Sequence, residues 1–218
     1  SNNTGSSNIA IGCEAAPNLS NGKYNILFGT YVAGSSAAIS GCDNVFLGTA
    51  AGSSLTSGDY NILLGFNAGL SLTNCDRNIF IGKEAGKCND GDDNILLGQD
   101  AGRGSPTVAD NTGTTNVFIG KYAGKEIVTG SRNIFLGCRA GICNTSASDN
   151  VFIGTQAGAN STGGGSAPTR TIAIGTQAGQ YMCGGCNVLM GMYAGSGVSG
   201  SSTGQKNVFL GRYAGKCN

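Results

Sequence analysis

The sequence predicts an all-β chain, a parallel β-solenoid of about twelve turns, each 16–22 residues long. Three observations predict it. A nine-residue unit (Asn, three apolar residues, Gly, two variable residues, Ala, Gly) recurs along almost all of the 218 residues. Its apolar triplet opens with Ile or Val in every copy. Apart from Val32, which reads as an insertion before Ala33-Gly34, all variation in length falls in Gly-, Ser-, Thr- and Asn-rich spacers.

The units begin at 8, 25, 44, 61, 78, 94, 116, 133, 150, 171, 187 and 207, with Asn in the lead everywhere but Thr171. Clear examples are Asn44 to Gly52 (NVFLGTAAG) and Asn116 to Gly124 (NVFIGKYAG). A unit this short cannot bury an apolar face alone, so neighbouring units must stack, and 1–218 reads as a single repeat domain. The chain opens in a spacer and closes three residues past a finished unit. No atypical cap is visible, so a segment of a longer polypeptide is expected.

Each position of the unit has a physical reading. The lead Asn suits either a hydrogen-bonded amide ladder between turns or a simple turn preference. β-branched residues in first place pack well on a pleated surface, which marks the triplet as strand. The middle residue is also apolar, with only Ala10 and Ala173 small. The expected repeat core is Ile9, Ile26, Val45, Phe46, Ile62, Ile79, Phe80, Ile95, Val117, Phe118, Ile134, Phe135, Val151, Phe152, Ile172, Val188, Val208 and Phe209. The Gly after the strand permits a positive φ or a close backbone approach. The Ala is a small inward residue of a second, weaker segment, and the closing Gly turns the chain again. Spacers such as 103–115 and 159–170 are expected to be peripheral loops.

Side chains alternate faces along a strand, so a triplet apolar at all three positions is apolar on both sides. One side can pack on the Ala-Gly segment. The other forms a stripe roughly 50 Å long, more than a soluble monomer leaves exposed. Other copies of the chain are expected to cover it in a closed assembly. Composition does not separate two copies from three.

The 39 glycines come with three prolines and no Gly-X-Y period, which excludes collagen. With no His, no Trp and 11% charged residues, there is little material for acid–base or metal chemistry. Neither an enzyme nor a cofactor nor a metal is expected. A net charge of +1 gives no electrostatic reason to bind nucleic acid. No run of 18 apolar residues exists, so no membrane insertion is expected.

Nine cysteines form no metal pattern. Their positions suit small half-buried corner residues, or staples in an oxidising compartment pairing Cys183 with Cys186 and Cys75 with Cys88. Asn89-Asp90-Gly91-Asp92-Asp93 is acidic enough for Ca²⁺ but lacks the EF-hand spacing, and a solvated turn is the simpler reading. Tyr31, Tyr122, Tyr193 and Tyr213 share the second variable position with polar residues, which marks an exposed face.

The N-[IV]-[FLA]-[ILM]-G-x-x-A-G unit resembles the head repeats of trimeric autotransporter adhesins of the YadA type. It looks still more like the Asn/Gly-rich repeats of bacteriophage tail-fibre proteins. The resemblance covers Asn8 to Gly215. It implies a left-handed β-roll, three chains around one axis, and a role in attachment. Adhesin heads have a shorter repeat, usually lack cysteine and are followed by a coiled-coil stalk, whereas these residues contain no heptad stretch. The expectation is a homotrimeric structural shaft of an extracellular or virion tail fibre that presents a receptor-binding tip. The alternative is an adhesin whose repeat surface itself binds a cell-surface receptor, host glycan or matrix.

Overall fold

A computed structural model describes residues 5–34, 38–105, 111–161, 167–198 and 203–216. Twelve three-residue strands follow one another: β1 (Ile9–Ile11), β2 (Ile26–Phe28), β3 (Val45–Leu47), β4 (Ile62–Leu64), β5 (Ile79–Ile81), β6 (Ile95–Leu97), β7 (Val117–Ile119), β8 (Ile134–Leu136), β9 (Val151–Ile153), β10 (Ile172–Ile174), β11 (Val188–Met190) and β12 (Val208–Leu210). They form one parallel sheet in strict chain order. Equivalent residues pair throughout, as Val117 with Ile134 and Phe118 with Phe135. The chain is a β-solenoid that advances one strand per turn.

Backbone conformation punctuates each strand on both sides. The residue before each lead position, from Ser7 to Lys206, adopts φ between +53° and +62°, and none of the twelve is Gly. The Gly closing each strand adopts φ between +115° and +142°. Stacking demands glycine there as well: a Cβ on Gly65 would lie 2.5 Å from the Gly82 carbonyl oxygen of the next turn. The chain then doubles back, and the closing Gly and Ala positions bond between turns, as Gly52 N–H donates to the Ala68 carbonyl at 2.9 Å.

The core lies between strand and return segment. Middle residues point inward, and Phe46, Phe80, Phe118, Phe135 and Phe152 are fully buried against a column of buried alanines from Ala51 to Ala194. Phe118, Phe135 and Phe152 stack with centroids 4.7 and 4.8 Å apart, the spacing of the strands themselves.

One expectation is made specific and two are corrected. The expected core divides between two faces: Ile9, Ile26, Val45, Ile62, Ile79, Ile95, Val117, Ile134, Val151, Ile172, Val188 and Val208 point away from the chain's own interior and stay half-buried or exposed. Strand alternation forces this, because the middle residue alone can face the narrow alanine column. Val32 is no insertion. It fills the Ala register, accepting from Ala16 N–H at 2.9 Å, while Ala33 takes the closing-Gly register at φ +44°. The spacers are not wholly peripheral either: Leu19, Ile39, Leu55, Leu72, Ile127 and Met182 are buried in the core.

Candidate functional site: an apolar sheet face

The first and third residues of the strands build the outer surface of the sheet. Each strand contributes two apolar side chains, and in-register pairing sets them in two parallel columns. Twelve strands at about 4.8 Å give a surface roughly 50 Å long. Ile11 (56% exposed), Leu47 (48%), Ile119 (41%) and Met190 (42%) show how openly the columns stand in solvent. Parallel sheets are ordinarily covered on both faces. Here the chain covers one.

Directly inside the face runs the amide ladder, which resolves the reading left open for the lead Asn. Asn133 Nδ2 donates to Asn116 Oδ1 at 3.0 Å and to the Ala147 carbonyl of its own turn at 2.7 Å. Asn133 Oδ1 in turn accepts from the backbone N–H of Asn150 at 3.1 Å and from its Nδ2 at 3.0 Å. Most of these amides tie a strand start to the spacer that follows it and to a neighbouring turn, whereas Asn78 Nδ2 turns to the Asp76 carbonyl at 3.2 Å and Asn94 Nδ2 to the Gly91 and Gly113 carbonyls, so that buried groups are satisfied. The pattern thins at Thr171, whose hydroxyl accepts from Asn187 N–H across 3.4 Å and offers no second donor toward Asn150.

A polar rim borders the face at the positive-φ residue before each Asn. Arg77 donates to Asp93 through Nε at 2.6 Å and Nη2 at 3.2 Å, and Arg132 grips Asp149 in the same way at 2.6 and 3.1 Å. The hydrogen-bonded guanidinium holds the Asp93 and Asp149 carboxyls below the usual carboxylate range. Apolar columns edged by charge are the pattern of an association surface.

The remaining candidates separate. Neither cysteine pair is bridged: Cys75, Cys88 and Cys186 are free, while Cys75 Sγ lies 3.1 Å from Asp90 Oδ1 and Cys183 Sγ 3.7 Å from the Tyr181 carbonyl. Burial, then the Asp90 carboxylate, pushes the Cys75 thiol pKa upward, and burial with a hydrogen bond to Glu126 pushes that of Cys143 up to about 11. The carboxylates of 89–93 do not converge. Asp90 accepts from Thr73, Asp92 from the Asp76 backbone and Asp93 from Arg77, each reaching to the turn before. Among the described residues, no group of three or more His, Cys, Asp or Glu is placed to hold a metal, and no helix is long and apolar enough to cross a membrane.

Strand alternation sets the first-position residues of the face beside third-position partners such as Leu47, Ile81, Ile119, Leu136 and Met190, as the sequence pattern led one to expect. Compared with known protein families, curated proteins and solved structures, the chain matches none.

Proposed function

We propose that this chain is the structural shaft of an extracellular or virion fibre, in which copies of the chain bury their sheet faces against one another. One observation carries the reading: an unbroken apolar surface roughly 50 Å long, with one strand every 4.8 Å or so, standing open on a single chain. A surface of that length is a poor fit to a small ligand, which takes a concave pocket. A straight surface of identical steps fits another copy of itself in matching register. Three copies close such a set without leaving an apolar edge, and the repeat resemblance points to the same number. The shaft then holds a receptor-binding tip at a distance from its anchorage.

Sedimentation equilibrium of the purified chain tests this. The expected mass is three times the 21.8 kDa of one chain. A well-dispersed single chain at micromolar concentration would sink the proposal.

A second reading, a rod whose own surface adheres to a host glycan, is favoured by a separate feature: the tyrosines of the second variable position, which gather cations around them.

A further inference from the structure

We infer that one corner of the solenoid, running from Tyr122 to Tyr213, binds an acidic polysaccharide laid along the rod. The inference deepens the glycan reading and does not depend on the shaft.

Charge is unevenly placed. Residues 1–110 carry ten acidic and five basic side chains, whereas 111–218 carry two acidic and eight basic. A net charge near zero therefore conceals an acidic half and a basic half. The corner after the strand Gly crosses this divide. In turns 5 and 6 it neutralises itself: Glu84 Oε2 lies 3.4 Å from both Lys87 Nζ and Arg103 Nε, and Asp100 Oδ1 lies 3.6 Å from Arg103 Nη1.

One turn further the same register holds Tyr122 in place of a carboxylate, and the nearby Glu126 is turned to the Cys143 thiol. Lys121 Nζ lies 4.9 Å, Lys125 Nζ 5.1 Å and the Arg139 guanidinium carbon 5.9 Å from the Tyr122 ring centroid. Among the described residues none of these three cations forms an ion pair. A cation resting on a ring keeps its charge. Beside them is a depression of about 290 Å³ whose polar walls are Tyr122, Lys125, Arg139, Gln156 and Asn160. That set offers a flat ring for a sugar to stack on, a guanidinium fork and an ammonium for a carboxylate or sulfate, and two amides that both donate to and accept from hydroxyls.

A second station lies four to five turns on, roughly 20 Å away. Tyr193 and Tyr213 stack at 5.2 Å, with Lys216 Nζ 4.8 and 5.0 Å from their centroids and Arg212 4.8 Å from that of Tyr213. Backbone bonds from Arg139 N–H to Lys121 and from Gln156 N–H to Cys138 place the intervening residues in one rank. That rank presents neutral Gln156 and Gln177 between the stations. A nucleic acid carries a phosphate at every nucleotide and rewards cations all along its path. A peptide would add to a strand edge, and this corner's backbone is already bonded between turns. A chain of sugar rings with spaced acidic groups matches two cationic stations joined by amides.

The test uses the purified full chain, in whatever oligomer it forms, against immobilised heparin, polygalacturonate, neutral dextran, oligo-dT and polyglutamate. The expected result is binding to at least one of the two acidic polysaccharides, weakening with salt, and none to dextran. Tyr122→Ala with Arg139→Gln should lower affinity about tenfold or more, each 1.4 kcal/mol being a factor of ten. Lys23→Gln in the acidic half should leave it unchanged. Arg139→Gln alone alters an exposed side chain and keeps the test open should Tyr122→Ala melt early in circular dichroism. No binding to either polysaccharide overturns the inference. So does binding that the variants leave intact, or equal binding to oligo-dT or polyglutamate, which would mean charge alone. A monomer in sedimentation with polysaccharide binding retained removes the shaft and spares this site; a trimer without binding does the reverse.

Discussion

Phe135 and its neighbours Ile134 and Leu136 belong to one three-residue strand, yet they live in different environments. Phe135 is fully buried between Phe118 and Phe152, while Ile134 is 40% exposed on the outer face. The same contrast holds down the sheet. One side chain per strand serves the fold of the chain itself, and two are held outward in register. On the proposed reading the difference teaches that folding and association are divided between alternate positions of one strand, so each can be altered with little cost to the other.

Substitutions can break that division at either side. Phe135→Ala opens a cavity inside the phenylalanine stack and should cost about 3–5 kcal/mol, read as a lowered denaturation midpoint. A midpoint left unchanged would mean that the inner column is not what holds the turns together. Next in size, Ile119→Lys with Ile134→Lys should keep the strand signal in circular dichroism while weakening self-association at least about tenfold in sedimentation. If the doubly charged face still associates, the contact lies elsewhere on the rod.

The amide ladder between the two faces sharpens the comparison with a smaller effect. Thr171→Asn restores the missing Nδ2 donor toward Asn150 Oδ1, and one further buried hydrogen bond should raise stability by about 0.5–1.5 kcal/mol. Unfolding titrations of the two forms would expose a null or opposite change. The smallest effect belongs to the rim. Asp93 and Asp149 have folded pKa values depressed by Arg77 and Arg132, so their contribution is present above the ordinary carboxylate pKa and fades as pH falls through the lowered folded value. Both pairs are solvent-exposed and screened by salt. The melting difference between the native chain and Asp93→Asn with Asp149→Asn should therefore be slight at neutral pH and vanish in acid. A difference that grows in acid would reverse the sign of this argument.

Strand positions, parallel stacking and the division into turns were legible because the unit repeats its β-branched residue and its glycine without slippage. The direction in which each strand faces was not, since Ile, Phe and Leu are equally apolar; the size of the alanine opposite decides which one fits inside. The second inner column was hidden for another reason. Its positions hold Leu55, Leu72 and Ile127, but also Asn89, Asn144 and Ser161, and a mixed column shows no apolar period. Asn144 is accommodated there by donating to the Gly158 carbonyl at 2.7 Å, and Ser161 by donating to the Gly158 and Gly179 carbonyls at 3.2 Å each. Val32 misled because sequence spacing was matched on the Ala-Gly letters, whereas the fold counts residues from the strand glycine. The tyrosines of the corner were legible as an exposed face, but the cations gathered on them were not, because overall charge averages over two opposite halves.

Strands that pair strictly in chain order give each turn contacts with its two immediate neighbours and with no other strand. Cutting out residues 116–132, or inserting a second copy of them, would leave the cross-section as it was and move the two ends by roughly 5 Å. Reach is thus set by counting, in equal increments, and a gene that gains or loses whole units re-gauges the solenoid without redesigning it.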